Sequence, residues 1–280
     1  MSVGGTVGKV GAYVELLDLP PVSLVLVAAA GFTTFAAGGA PPPGLPLFLL
    51  SVLLTQFAIA LHNHYCDRDL DAVARPRRAL PRGLLPARLV AAAAWGLLAL
   101  GLALALALGP QVAGLVALGT GAAFVYNAWL KRTAWSWLPY WVALPTLAVC
   151  SFAVAGRGHV VLWTAYVVGL PLVLAIHLVD ELSDVETDTA AGVRGLAHRL
   201  GPRRTRYAAW GALAAAQGLA LWLWPQGGAP SPLFYLSPAL LLVAIVLGAR
   251  RVRRGHWLAA MGSSLALALA WVGDLAAGLR

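Results

Sequence analysis

The sequence predicts an all-α integral membrane bundle of about nine transmembrane helices. Three observations carry this: 60% of the 280 residues are hydrophobic and only 11% are charged, the mean hydropathy is +0.78, and apolar runs recur between short polar segments along the whole chain. So little polar surface cannot coat a water-soluble globule of this size. A formal charge of +9 taken alone would suit a nucleic-acid binder. A soluble basic domain would not also be this apolar, so no nucleic-acid partner is expected. No polar stretch between the runs is long enough for a soluble domain, and residues 1–280 read as a single membrane domain.

Crossing the hydrocarbon takes about 20 apolar residues. Cutting the chain at Pro, Gly and charge clusters gives spans near 21–38, 46–65, 87–108, 111–130, 136–155, 159–179, 207–224, 232–249 and 257–279. The N-terminal stretch carries Glu15 and Asp18 rather than a basic start and a cleavage site, so the first span is expected to be retained. The Leu-Ala segment 102–108 is simply a good apolar helix. Cys66 and Cys150 lie in or beside apolar runs, where cysteine packs as a small apolar residue, and neither a disulfide nor a redox role is expected.

The basic residues check the span count independently. All of the 20 Lys and Arg except Arg157 and Arg280 fall at the N-terminus or in the loops after the second, fourth, sixth and eighth spans. A wrong count would have scattered them over both sides. The positive-inside rule then expects a cytoplasmic N-terminus and an external C-terminus, in the cell (inner) membrane.

The acids are placed even less evenly. All eleven except Glu15, Asp18 and Asp274 fall in two clusters, Asn63-His64-Tyr65-Cys66-Asp67-Arg68-Asp69-Leu70-Asp71 after the second span and Asp180-Glu181-Leu182-Ser183-Asp184-Val185-Glu186-Thr187-Asp188 after the sixth. Asn63, Asp67 and Asp71 are four apart, as are Asp180, Asp184 and Asp188, so on a helix each set lines one face. Like charges at that spacing repel, and the sequence shows too few buried cations to cancel two rows, which makes a divalent metal the natural counterion. Magnesium fits: it takes oxygen ligands from a few carboxylates, waters and substrate phosphates, and no Cys or His set competes. Either cluster alone reads equally as a solvated helix end. Two on the same side of the membrane, sharing a spacing, favour a site. Arg75, Arg77, Arg78 and Lys131 lie where the far oxygens of a diphosphate would need cations, although basic residues on this side also serve topology.

These residues resemble the UbiA superfamily of intramembrane prenyltransferases. Asn63, Asp67 and Asp71 match its Asn-Asp-x-x-Asp-x-x-x-Asp signature, and Arg78-Ala79-Leu80-Pro81-Arg82-Gly83 is similar to the family's Arg-Pro-x-Pro-Ser-Gly. The run Tyr126 to Lys131 resembles its Tyr-to-Lys segment, and Asp184, Asp188, Gly192 and the stretch Leu196 to Gly201 resemble its second signature. The resemblance covers the whole chain. It implies a helical funnel with a magnesium-bound isoprenoid diphosphate at its cytoplasmic mouth and the tail among apolar helices. Asp67, Asp71, Asp184 and Asp188 would be catalytic, Asn63, Arg78, Tyr126 and Lys131 would bind substrate, and the metal ligands would be Asn63, Asp67, Asp71, Asp180, Asp184 and Asp188.

The implied reaction is prenyl transfer to an aromatic or lipid-like acceptor, with membrane lipid around the protein; the oligomeric state is left open. Trp129, Trp135, Trp137, Tyr140 and Trp141 are candidate aromatic faces for an allylic cation, or interfacial residues. Three positions depart from the family pattern: His64 replaces the second signature residue, Arg82 a small Ser, and Gly195 a Thr. Terpene cyclisation in the same fold is the alternative, favoured by His64 and the tryptophans. An ion-coupled transporter, in which Asp274 could take part, is the third reading.

Overall fold

The computed structural model describes residues 11–157, 162–190, 194–224 and 230–278, apart from the side chains at 162–163, 183–184 and 186–190. Nine long helices appear among these residues: α1 Leu19–Ala36, α2 Leu45–Ala74, α3 Ala87–Ala107, α4 Pro110–Ala128, α5 Trp137–Val154, α6 Leu162–Ala190, α7 Leu196–Trp222, α8 Pro232–Ala249 and α9 Arg253–Gly278. A 3₁₀ turn, Leu130–Arg132, joins α4 to α5. No strand occurs among the described residues.

Proline sets where four of the helices begin: α1, α2, α4 and α8 each carry one at the first or second position. There the missing N–H is one that the helix could not have used. Inside α5 and α6, Pro145 and Pro171 are kept, as a bilayer allows when neighbouring helices re-satisfy the backbone. α7 is broken early: Gly201 takes φ 77° and ψ 159° just before Pro202, a conformation that glycine alone adopts without steric cost.

Sequential neighbours α2 and α3, α4 and α5, α6 and α7, and α8 and α9 pack along one another, and contacts of α9 with α1 and α6 close the bundle. Phe32, Phe152, Leu213, Leu267 and Trp271 sit in the main core. Large apolar side chains such as Leu100, Leu106, Leu242 and Val243 face outward, as they must where the solvent is hydrocarbon. Polar links cross between helices: Ser51 Oγ donates to the Gly101 carbonyl at 2.7 Å, Gln217 Nε2 to Ser237 Oγ at 2.9 Å and Ser263 Oγ to the Ser237 carbonyl at 2.7 Å. Asp274 accepts the Ser231 N–H at 3.0 Å, where α8 begins.

Among the described residues, eight helices are long and apolar enough to cross a membrane. α7, expected as the seventh span, is not among them; it carries Arg199, Arg203, Arg204, Arg206 and Gln217, yet packs lengthwise on α6. Both motif helices are longer than expected. α2 runs to Ala74 instead of stopping near 65, and α6 to Ala190 instead of 179, so each acid set lies on a continuation of its span. Cys66 and Cys150 are free thiols.

Candidate active site

A cavity of about 860 Å³ opens at the end of the bundle where α2 and α6 carry their acids. Its inner walls are apolar, with Phe32, Phe48, Leu172 and Trp271 among them, and its mouth is charged. Asn63, Asp67, Arg78, Tyr126, Lys131 and Asp180 all line it. Six residues that the sequence singles out, from four separate segments, thus share one space.

The 3₁₀ turn after α4 aims Lys131 at α2. Its Nζ donates to Asn63 Oδ1 at 3.0 Å and forms a close ion pair with Asp67, the two side chains being 9% and 14% exposed. Arg132 adds a second cation 4.0 Å from Asp67. One turn further along α2, Asp71 is buried and does not line the cavity. It accepts from Arg78 at 2.9 Å and lies 3.5 Å from Arg75, and both arginines line the mouth. The expectation of too few buried cations to cancel the two acid rows therefore does not hold for the first row. Lys131 and Arg132 come from the loop after α4, and Arg75 and Arg78 from the loop after α2, to meet it.

His64 is buried and turned away from the cavity. Its Nδ1 lies 3.5 Å from Arg78 and its Nε2 3.5 Å from Asp18 Oδ2. Arginine can only donate, so Nδ1 is the acceptor in the contact with Arg78. Asp18 takes a left-handed conformation, φ 45° and ψ 52°, one that Asp tolerates better than most residues. It lines the mouth from the start of α1.

On α6, Asp180 has both oxygens engaged: Tyr140 donates to Oδ2 at 2.9 Å and Trp257 Nε1 to Oδ1 at 3.2 Å. Tyr126 packs edge-on against Tyr140 with ring centroids 5.1 Å apart. Asp184 and Asp188 lie on the α6 backbone, but their side chains fall outside the described residues. Of the five aromatic candidates only Tyr140 lines the cavity; Trp129 and Trp135 are 69% and 61% exposed on the outside. Asp18 and Trp257 also reach the mouth, though nothing in the sequence marks them as site residues. Neither belongs to a motif, and only the packing of α1 and α9 around the mouth brings them in.

The donors facing the cavity suit a hard cation. They are carboxylate and amide oxygens, whereas the His64 imidazole faces Asp18, and the Cys66 thiol faces His62 at 3.6 Å. Among the described residues no three of His, Cys, Asp or Glu gather into a metal site.

A sequence model of the UbiA prenyltransferase family matches residues 24–260. The chain belongs to that family. As a UbiA member it is an integral membrane prenyltransferase. It is 30% identical over 221 residues to the digeranylgeranylglyceryl phosphate synthase of Methanoregula boonei, covering 74% of this chain and 76% of the relative. It is 32% identical over 218 residues to the bacteriochlorophyll synthase 33 kDa chain of Cereibacter sphaeroides, covering 70% and 69%. Among solved structures, a UbiA homolog from Archaeoglobus fulgidus bound to GPP and Mg2+ superimposes with a TM-score of 0.64 at 18% identity, covering 95% of this chain and 99% of that one. The UbiA fold is thus shared over nearly the whole length.

Proposed function

We propose that this UbiA-family protein carries out magnesium-dependent transfer of a prenyl group from an allylic isoprenoid diphosphate to an aromatic or lipid-like acceptor within the membrane. The observation that carries this is a single cavity with Asn63, Asp67, Lys131, Arg75 and Arg78 at its mouth and apolar side chains below. A headgroup of high negative charge and a greasy tail need that division of one space. The relatives support it, since one is named for a glyceryl phosphate and another for a bacteriochlorophyll, both lipid-soluble products.

In this reading Lys131 and Arg78 meet oxygens of the diphosphate, exchanging part of their pairing with Asp67 and Asp71 for the ligand. The bond between C1 of the prenyl chain and the diphosphate oxygen breaks with its electron pair on oxygen. A nucleophilic atom of the acceptor then bonds to C1 and gives up its proton. The apolar walls keep water from capturing the cation, and Tyr126 and Tyr140 line the same space. Asn63 and Asp67, with Asp184 and Asp188, would hold the magnesium, which when bound neutralises charge on the departing diphosphate. Asp71 would act through Arg78, and Asp180 through Tyr140 and Trp257. The mouth would face the cytoplasm, in the cell (inner) membrane.

The test is product analysis by mass spectrometry on the purified protein in lipid, given farnesyl or geranylgeranyl diphosphate, magnesium and a panel of lipid alcohols and phenols. A prenylated acceptor and released pyrophosphate are expected. A cyclic hydrocarbon or alcohol formed without any acceptor would replace this reading with terpene cyclisation.

A further inference from the structure

Behind Lys131 and Tyr140, on the side away from the cavity, three polar residues are buried together. Ser136 lies just before α5, and His177 and Glu181 are one turn apart on α6; they are 0%, 0% and 9% exposed. None of the three lines the cavity. Ser136 Oγ is 2.9 Å from His177 Nε2, which is 3.4 Å from Glu181 Oε2. His177 Nδ1 is buried without a hydrogen-bond partner among the described residues, which puts the ring proton on Nε2, between the two oxygens.

The same two oxygens also accept from one other place. Leu196 N donates to Ser136 Oγ at 3.2 Å, and Ala197 N to Glu181 Oε2 at 2.9 Å. These are the first two N–H groups of α7, which have no partner within their own helix. The N-cap residue, Gly195, has no side chain to serve them. A Cβ there would come within 2.5 Å of Glu181 Oε1 and 2.8 Å of the Lys131 carbonyl oxygen. Glycine at 195 thus lets the start of α7 press directly on the turn that aims Lys131, while Glu181 supplies the missing cap. On its other side the His177 ring packs edge-on against Tyr140 and Tyr126, at 4.8 and 6.2 Å between centroids.

We propose that Glu181, together with Ser136 and His177, is a positioning residue. It caps α7 from α6 and so locks the Lys131 turn against the second acid-bearing helix, with Lys131 held on Asn63 and Asp67. By its place in the acid cluster Glu181 would pass for a metal ligand, but its carboxylate is turned toward α7. This inference rests on the proposed prenyl transfer for its kinetic consequence but not for its structural one.

The experiment uses the full chain in lipid nanodiscs, with amide hydrogen exchange measured on the ligand-free protein. Kinetics with geranylgeranyl diphosphate and magnesium accompany it, for Glu181→Ala, Glu181→Gln, Ser136→Ala and the pair Glu181→Ala with Lys131→Gln. Glu181→Ala should lose about tenfold in protection at the Ala197 amide, as fits one buried hydrogen bond. It should raise KM for the diphosphate about tenfold, with kcat changed far less. Glu181→Gln, whose amide oxygen still accepts from Ala197, should recover most of both, and Glu181→Ala should add little in the Lys131→Gln background, because coupled residues are not additive. A Gln variant as impaired as Ala with a collapsed kcat, or wild-type exchange at Ala197 in Glu181→Ala, would overturn the proposal. Should Glu181→Ala fail to fold, Ser136→Ala carries the same two readouts through Leu196. A wild type without magnesium-dependent turnover would refute the transfer reaction instead, leaving the exchange result to decide the cap.

Discussion

Lys131 is the residue on which the mouth turns, because it touches both Asn63 and Asp67 while being only 9% exposed itself. A cation so enclosed is costly without a carboxylate beside it, and in the proposed reaction a diphosphate takes over part of that pairing. Asp67→Asn is expected to lower turnover by about 10²-fold or more, the scale of losing a major electrostatic contact in a catalytic site, with helix content by circular dichroism unchanged. Asp71 makes a different prediction, since it reaches the cavity through Arg78, its nearer partner, and Arg75 rather than directly. Asp71→Asn should raise KM for the diphosphate in step with Arg78→Ala, and the double variant should be no worse than either. A loss in kcat alone would instead make Asp71 a direct metal partner.

Between helices, stability rests on packing and a few buried hydrogen bonds, of which Gln217, Ser237 and Ser263 tie α7, α8 and α9 together. Ser263→Ala is expected to cost about 0.6 kcal/mol, typical of such a link in a bilayer, in an unfolding assay that leaves donor KM unaltered. The helices themselves were legible because a bilayer imposes a length and satisfies no backbone group, so apolar runs bounded by Pro and charge read as spans, α7 with its arginines being the exception. Their ends were not. Charges after residue 65 and residue 179 looked like loops, yet the same i to i−4 ladder continues through them to Ala74 and Ala190. The spacing of the two acid sets was readable for that very reason, since a four-residue interval has meaning only on a helix. The partners were hidden: nothing along the chain announces that Asp18 meets His64, that Trp257 meets Asp180, or that Glu181 caps α7.

For the molecule as a whole, basic loops and acid motifs are expected on one face of the membrane. In right-side-out vesicles a membrane-impermeant thiol reagent should label Arg157→Cys but not Arg77→Cys, each in a Cys66→Ser, Cys150→Ser background, and inverted vesicles should reverse the pattern. Chelation of magnesium should abolish turnover reversibly while the bundle stays folded, since its helices are held by apolar cores and interhelical bonds away from the mouth. The cavity's division into a charged rim and an oily interior has one more consequence under the proposed chemistry. Before reaction a single molecule is tethered at both ends. Once C1 has changed partners, the inorganic fragment belongs to water and the alkylated one to the lipid phase. The two products then depart in opposite directions and are diluted into different media, which adds to the driving force already stored in the donor's diphosphate ester.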